Sequence, residues 1–101
     1  MVNVIAAIRV KPECLLQFLE VFKGNVPAVK AEKGCLEYQP TVDMESGLPP
    51  QVLEADVVTI LEKWSSLDAL RRHLATPHMA AYREKVKDMV LGVTLKVLKE
   101  A

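Results

Sequence analysis

The spacing of apolar residues changes period along this chain, and each change marks where one element must end. Val2, Val4, Ala6, Ile8 and Val10 recur at every second position, the repeat of a strand with one buried face. Leu15, Phe18, Leu19, Phe22, Val26 and Val29 then follow the spacing of one helix face. Period two returns in "CLEYQPTVDM" (35–44) and most clearly in "DVVTILEKW" (56–64). It yields again to helical spacing after Ser65, and "GVTLKVLKE" (92–100) closes with a fourth strand. The order β-α-β-β-α-β predicts an α+β, ferredoxin-like fold: an antiparallel four-stranded sheet with helices on one face. A length of 101 residues suits a single domain (1–101) with a modest core.

Local punctuation refines this map. Pro12 suits a first helical turn, and the first helix is expected over 13–32. Pro27 in "GNVP" should kink or restart it, with Asn25 able to cap the second piece. Gly34 should end it. In strand two Leu36, Tyr38, Val42 and Met44 share a side, and Pro40 demands an edge or a bulge. The loop over 45–55 carries two prolines and a glycine; long loops in compact domains are often functional. Ser65 with Asp68 resembles a capping box, and Leu67, Leu70 and Leu74 mark a buried stripe. Thr76-Pro77 reads as an N-cap followed by Pro at the first helical position. It starts a separate helix whose buried stripe is Met79, Tyr82, Val86 and Met89.

Several function classes drop out. Thirteen basic residues balance thirteen acidic ones without a basic stripe, so nucleic acid is not an expected partner. The longest apolar run, Val4 to Ile8, is too short for a membrane span. The first residues lack a basic segment followed by a long apolar one, so a cytoplasmic location is expected. Cys14 and Cys35 read as reduced thiols. The glycines form no phosphate-binding loop, and no serine sits in a nucleophile elbow. Strand three is apolar on both sides (Val57, Thr59 and Leu61 against Val58 and Ile60), and strand one adds Ile5 and Ala7 on its second face. That face needs a cover, and a second copy of the sheet is the simplest one, giving a twofold dimer with an internal barrel.

The residues able to carry chemistry are few. His73 flanks the buried stripe of its helix and is the first candidate for a base or hydrogen-bond donor. It also reads as a helix-end histidine bonded to a carbonyl. His78 reads first as an exposed helix-start residue and second as a substrate contact. The proline between them separates the pair. Their spacing does not match HExxH and no acidic residue lies between them, so no metal site is expected. Trp64 reads as a core anchor or as a flat wall for a ring-shaped ligand. Tyr38, Tyr82, Phe18 and Phe22 carry the same double reading. Glu62 shares the face of Trp64 and is a base if buried. Asp43 reads as a turn cap.

"VIAAIRVKPE", "KAEKGCLEYQPTVD", "ILEKWSSLDALRRHLATPHMAAY" and "VTLKVL" resemble the antibiotic-biosynthesis monooxygenase family, most of all its enterobacterial quinol monooxygenase branch. The resemblance spans nearly the whole chain. It implies a dimeric α+β barrel that oxygenates reduced quinones or related phenols with molecular oxygen and no required cofactor or metal. It matches Trp64 and His73 to the family's pocket Trp and His, and His78 and Tyr82 to its "TPHMxAY" segment. Ile60 stands where some polyketide-oxidising members carry Asn. Asn3 lies about two residues from the strand-one Asn of haem-degrading members, so haem is not expected, nor is flavin. Another branch with a "TPHY"-like segment isomerises a small metabolite. An isomerase and a non-enzymatic module binding small aromatics are therefore the alternatives.

Overall fold

In the computed structural model, which describes residues 1–101, β1 (Val2–Val10) follows the alternation: Val4, Ala6, Ile8 and Val10 are buried and Val2 is half-buried. It is central in an antiparallel sheet ordered β2-β3-β1-β4, with β2 at Cys35–Val42, β3 at Val57–Trp64 and β4 at Val90–Leu98. Three helices connect the strands: α1 (Leu15–Lys30), α2 (Leu67–Leu74) and α3 (Pro77–Val86). Val4, Ala6 and Ile8 face Glu62, Ile60 and Val58 across the β1–β3 ladder, and this row meets the helices. Phe18, Phe22 and Val29 from α1 and Met79, Tyr82 and Val86 from α3 complete the core.

The first helix differs from expectation. Pro12–Cys14 form a 3-10 turn, and α1 then runs unbroken through Pro27. Pro27 and Lys23 are both exposed, so the Lys23 carbonyl left without an N–H partner faces water. Asn25 caps nothing; its Nδ2 donates to Met79 Sδ at 3.5 Å. Strand two keeps only Tyr38 buried. The register shifts between Cys35 and Glu37, so Leu36 is the extra residue of a bulge and turns outward. Val42 and Met44 are also exposed. Pro40 lies on an edge strand, where its missing N–H costs the sheet nothing.

The N-cap of α2 is Ser66, one residue later than the capping-box reading; its hydroxyl accepts from Ala69 N at 3.1 Å. Ser65 instead donates its N–H to the Gly34 carbonyl at 2.8 Å. The stripe shifts as well: Ala69, Leu70 and His73 are buried, whereas Leu67 and Leu74 are each 42% exposed. β4 begins two residues before its expected start at Gly92. Asp43 ties the loop base together by accepting from Glu54 N at 2.9 Å. Arg9 on the open sheet face pins the same loop through Glu54 (2.6 Å) and Asp56 (3.1 Å).

Gly34 is the one glycine whose conformation the site depends on. Its φ is +89°, and a Cβ there would lie 2.7 Å from both Ala69 Cβ and Ser65 Oγ. The left-handed backbone alone costs an L-residue about 1–2 kcal/mol. Gly34→Ala is therefore expected to lower stability by at least about 2 kcal/mol, read as a lower urea midpoint. An unchanged midpoint would show that the turn relaxes freely.

Candidate active site

His73 is 2% exposed in the last turn of α2. Three residues on, a single hydroxyl sets the corner to α3. Thr76 Oγ1 donates to the His73 carbonyl at 2.8 Å and accepts from Met79 N at 3.4 Å. Closing one helix and opening the next with the same side chain holds His73 and His78 in one rigid geometry. The Thr76-Pro77 break thus joins the two histidines rather than separating them.

What joins them chemically is Glu32, which the sequence did not single out. It sits between the end of α1 and Gly34. Its Oε2 lies 2.9 Å from His73 Nδ1 and 2.7 Å from His78 Nε2. A carboxylate only accepts, so both nitrogens are the N–H donors and both tautomers are set. His78 is correspondingly not a free helix-start residue; its side chain is 29% exposed and paired. The partners of Glu32 lie 41 and 46 residues away in sequence, so no local spacing marks it.

With Nδ1 as donor, His73 Nε2 carries the lone pair. No protein group bonds it. No fully enclosed side-chain polar atom lacks a partner, so Nε2 keeps a sliver of accessible surface. The Trp64 ring lies 4.6 Å from the imidazole, and the Tyr38 ring meets it edge-on at 5.5 Å. Phe22 stacks on Tyr38 at 5.5 Å, and Tyr82 meets Phe22 edge-on at 5.6 Å with Phe18 behind. Trp64 and Tyr38 therefore wall the imidazole directly, and Phe18, Phe22 and Tyr82 form the layer behind. His78 and Tyr82 also border a groove of about 550 Å³ between α1 and α3, whose other walls include Glu20, Asn25 and Lys85.

Burial lowers the His73 pKa against the opposing pull of Glu32, so the imidazole stays neutral at physiological pH. Burial likewise raises both tyrosines, with Glu62 adding to each. Glu62 is buried and accepts from Trp64 Nε1–H at 3.0 Å. Burial raises its pKa, the Trp64 bond opposes this, and Glu32 adds to it. A raised carboxylate contributes stability only at low pH and loses it as pH rises through the folded value. Glu62→Gln keeps an acceptor for Trp64 and removes the buried charge. It is expected to raise Tm at pH 7, with the gain vanishing below the ordinary value of 4.5. Calorimetry across that range checks it; a pH-independent difference would contradict it.

Comparison with known proteins narrows the reading. The sequence model described as "Antibiotic biosynthesis monooxygenase" matches residues 1–85. The chain belongs to the antibiotic biosynthesis monooxygenase family. As a member of this family it is a monooxygenase-type enzyme. The Escherichia coli K12 protein named "Probable quinol monooxygenase YgiN" is 40% identical over 100 residues, covering 97% of this chain and 96% of its own. A protein of the same name from Shigella flexneri matches equally. The crystal structure of PA3566 from Pseudomonas aeruginosa superposes with a TM-score of 0.83 at 22% identity, covering 99% of this chain and 93% of that one. Rv0793 from Mycobacterium tuberculosis gives 0.82 at 23%, covering 99% and 94%. These structures share the ferredoxin-like α+β fold of the family. No helix of the chain is long and apolar enough to cross a membrane.

Proposed function

We propose that the chain is a quinol monooxygenase that oxygenates reduced quinones or related phenols with molecular oxygen and no bound cofactor. The observation that carries this reading is the Glu32–His73 pair: a buried imidazole oriented through Nδ1, its ring against Trp64 and Tyr38, with no protein partner on Nε2. Nε2 takes the phenolic proton, and Glu32 supports the imidazolium that forms. The face of Trp64 adds cation–π stabilisation to that charge. The resulting phenolate is electron-rich enough to pass an electron to oxygen directly. A hydroquinone and O2 give a hydroxyquinone and water, so every electron that oxygen takes up comes from the substrate. The 40% identical relative's name supports the quinol class.

The enzyme acts as a homodimer in the cytoplasm on this reading. Its two cysteines are free. The open sheet face exposes Ile5 and Leu61, and β4 leaves Val93, Leu95 and Val97 roughly half exposed even on the helix side. Met44, Leu48 and Val52 project from the pinned loop. A second chain that covers this surface accounts for it. A light-scattering mass of one chain at micromolar concentration would remove the dimer. The function is tested by oxygen uptake against a panel of reduced naphthoquinones and simple phenols. Uptake above spontaneous autoxidation, with a hydroxylated product, is the expected result. Turnover of a substrate under strict anaerobiosis would favour an isomerase instead.

A further inference from the structure

We propose that Glu32, His73 and His78 form a binding site for a divalent transition-metal ion of the zinc type, and that the ion switches the base off. The donor set is two imidazole nitrogens and one carboxylate oxygen, all within 4.8 Å of one another. Zinc prefers such N/O ligands. They come from three separate segments: the turn after α1, the end of α2 and the start of α3. The Thr76 corner already fixes two of them. Ligand atoms around a tetrahedral ion with bonds of about 2.0–2.1 Å lie about 3.3 Å apart. The present Glu32 contacts of 2.9 and 2.7 Å need to open by about half an ångström, and the two histidine nitrogens, which lie within 4.8 Å of each other, need to settle at the same spacing. The partly exposed His78 lies on the groove, which gives the ion its route and leaves water positions open.

The switch follows from the tautomers and rests on the proposed role of His73. An ion takes the lone pair of His73 Nδ1, so the ring proton moves to Nε2. His78 likewise exchanges its Nε2 proton for one on Nδ1, and no proton is lost overall. A metal-bound His73 then presents an N–H, not a lone pair, to the substrate and no longer accepts a phenolic proton.

The test uses tag-free, chelator-treated full-length protein. Calorimetric titration with Zn²⁺ is expected to give one ion per chain, and Co²⁺ to develop visible bands. E32Q and H78A, checked for folding by circular dichroism, should bind at least about tenfold more weakly. Zn²⁺ should raise the Tm of the wild type but of neither variant. No saturable binding, or equal binding by wild type and variants, overturns the site. Zn²⁺ that binds through these residues but leaves quinol-dependent oxygen uptake unchanged overturns the switch. If no quinol is turned over at all, the proposed reaction fails while the titrations still decide the site.

Discussion

His73→Ala is expected to lower quinol-dependent oxygen uptake by about a hundred- to ten-thousand-fold, the usual contribution of a positioned general base. The fold should survive, because Glu32 keeps His78 as a donor. The loss should fall on kcat more than on KM, since the proton moves in the reaction and not on binding. The wild-type rate carries a matching pH signature. As the proposed base His73 must be neutral to act, and burial depresses its pKa below the ordinary 6.5. Activity should therefore hold through neutrality and fall only as pH drops below that value. The same depression makes this group's stability contribution present above 6.5 and lost as pH falls through the folded value. Oxygen-electrode rates across pH 4.5–8 (about four buffers suffice) check both. Unchanged uptake in the variant would remove His73 from the mechanism.

Trp64→Ala is expected to give the largest loss of stability. The ring is fully buried, packs on His73 and is the hydrogen-bond donor to Glu62. Truncation of a buried aromatic costs about 3–5 kcal/mol, and each kcal/mol lowers Tm by roughly 4–8 °C in a domain of this size. Trp64→Phe separates two parts of that loss. It keeps an aromatic wall but strands the Glu62 carboxyl, at about 1–3 kcal/mol. Urea melts of both variants, with and without Glu62→Gln, measure the coupling. If Trp64→Phe is no less stable than wild type, the Trp64–Glu62 bond has no structural weight.

The elements of this fold were legible where a local rule had no competitor. β1 matched its alternation because each inward residue met a helix. Gly34 and Thr76-Pro77 punctuated the chain as backbone chemistry requires. The misses came where distant packing overrode a local pattern. The α2 stripe followed Ala69 and His73 because the Gly34 turn presses there, leaving two of three leucines outside. Leu36 turned outward through a bulge that its own residue type does not announce. Pro27 did not break its helix because water serves the carbonyl it leaves unpaired. Of the candidate site, Trp64, Tyr38 and His73 lie together, a grouping that their separate positions in the chain did not announce. Glu32 was invisible because its role exists only after α1, α2 and α3 have packed.

The two borders of the sheet are not alike. β2 carries Pro40 and a bulge, both of which resist pairing with a foreign strand. β4 runs "VLGVTLKVL" along the other border with a single lysine and no proline, and most of it is exposed. The β4 border therefore offers one ready template for intermolecular strand addition. Variants that loosen the core will consequently be lost to aggregation through β4 before they are lost to reversible unfolding.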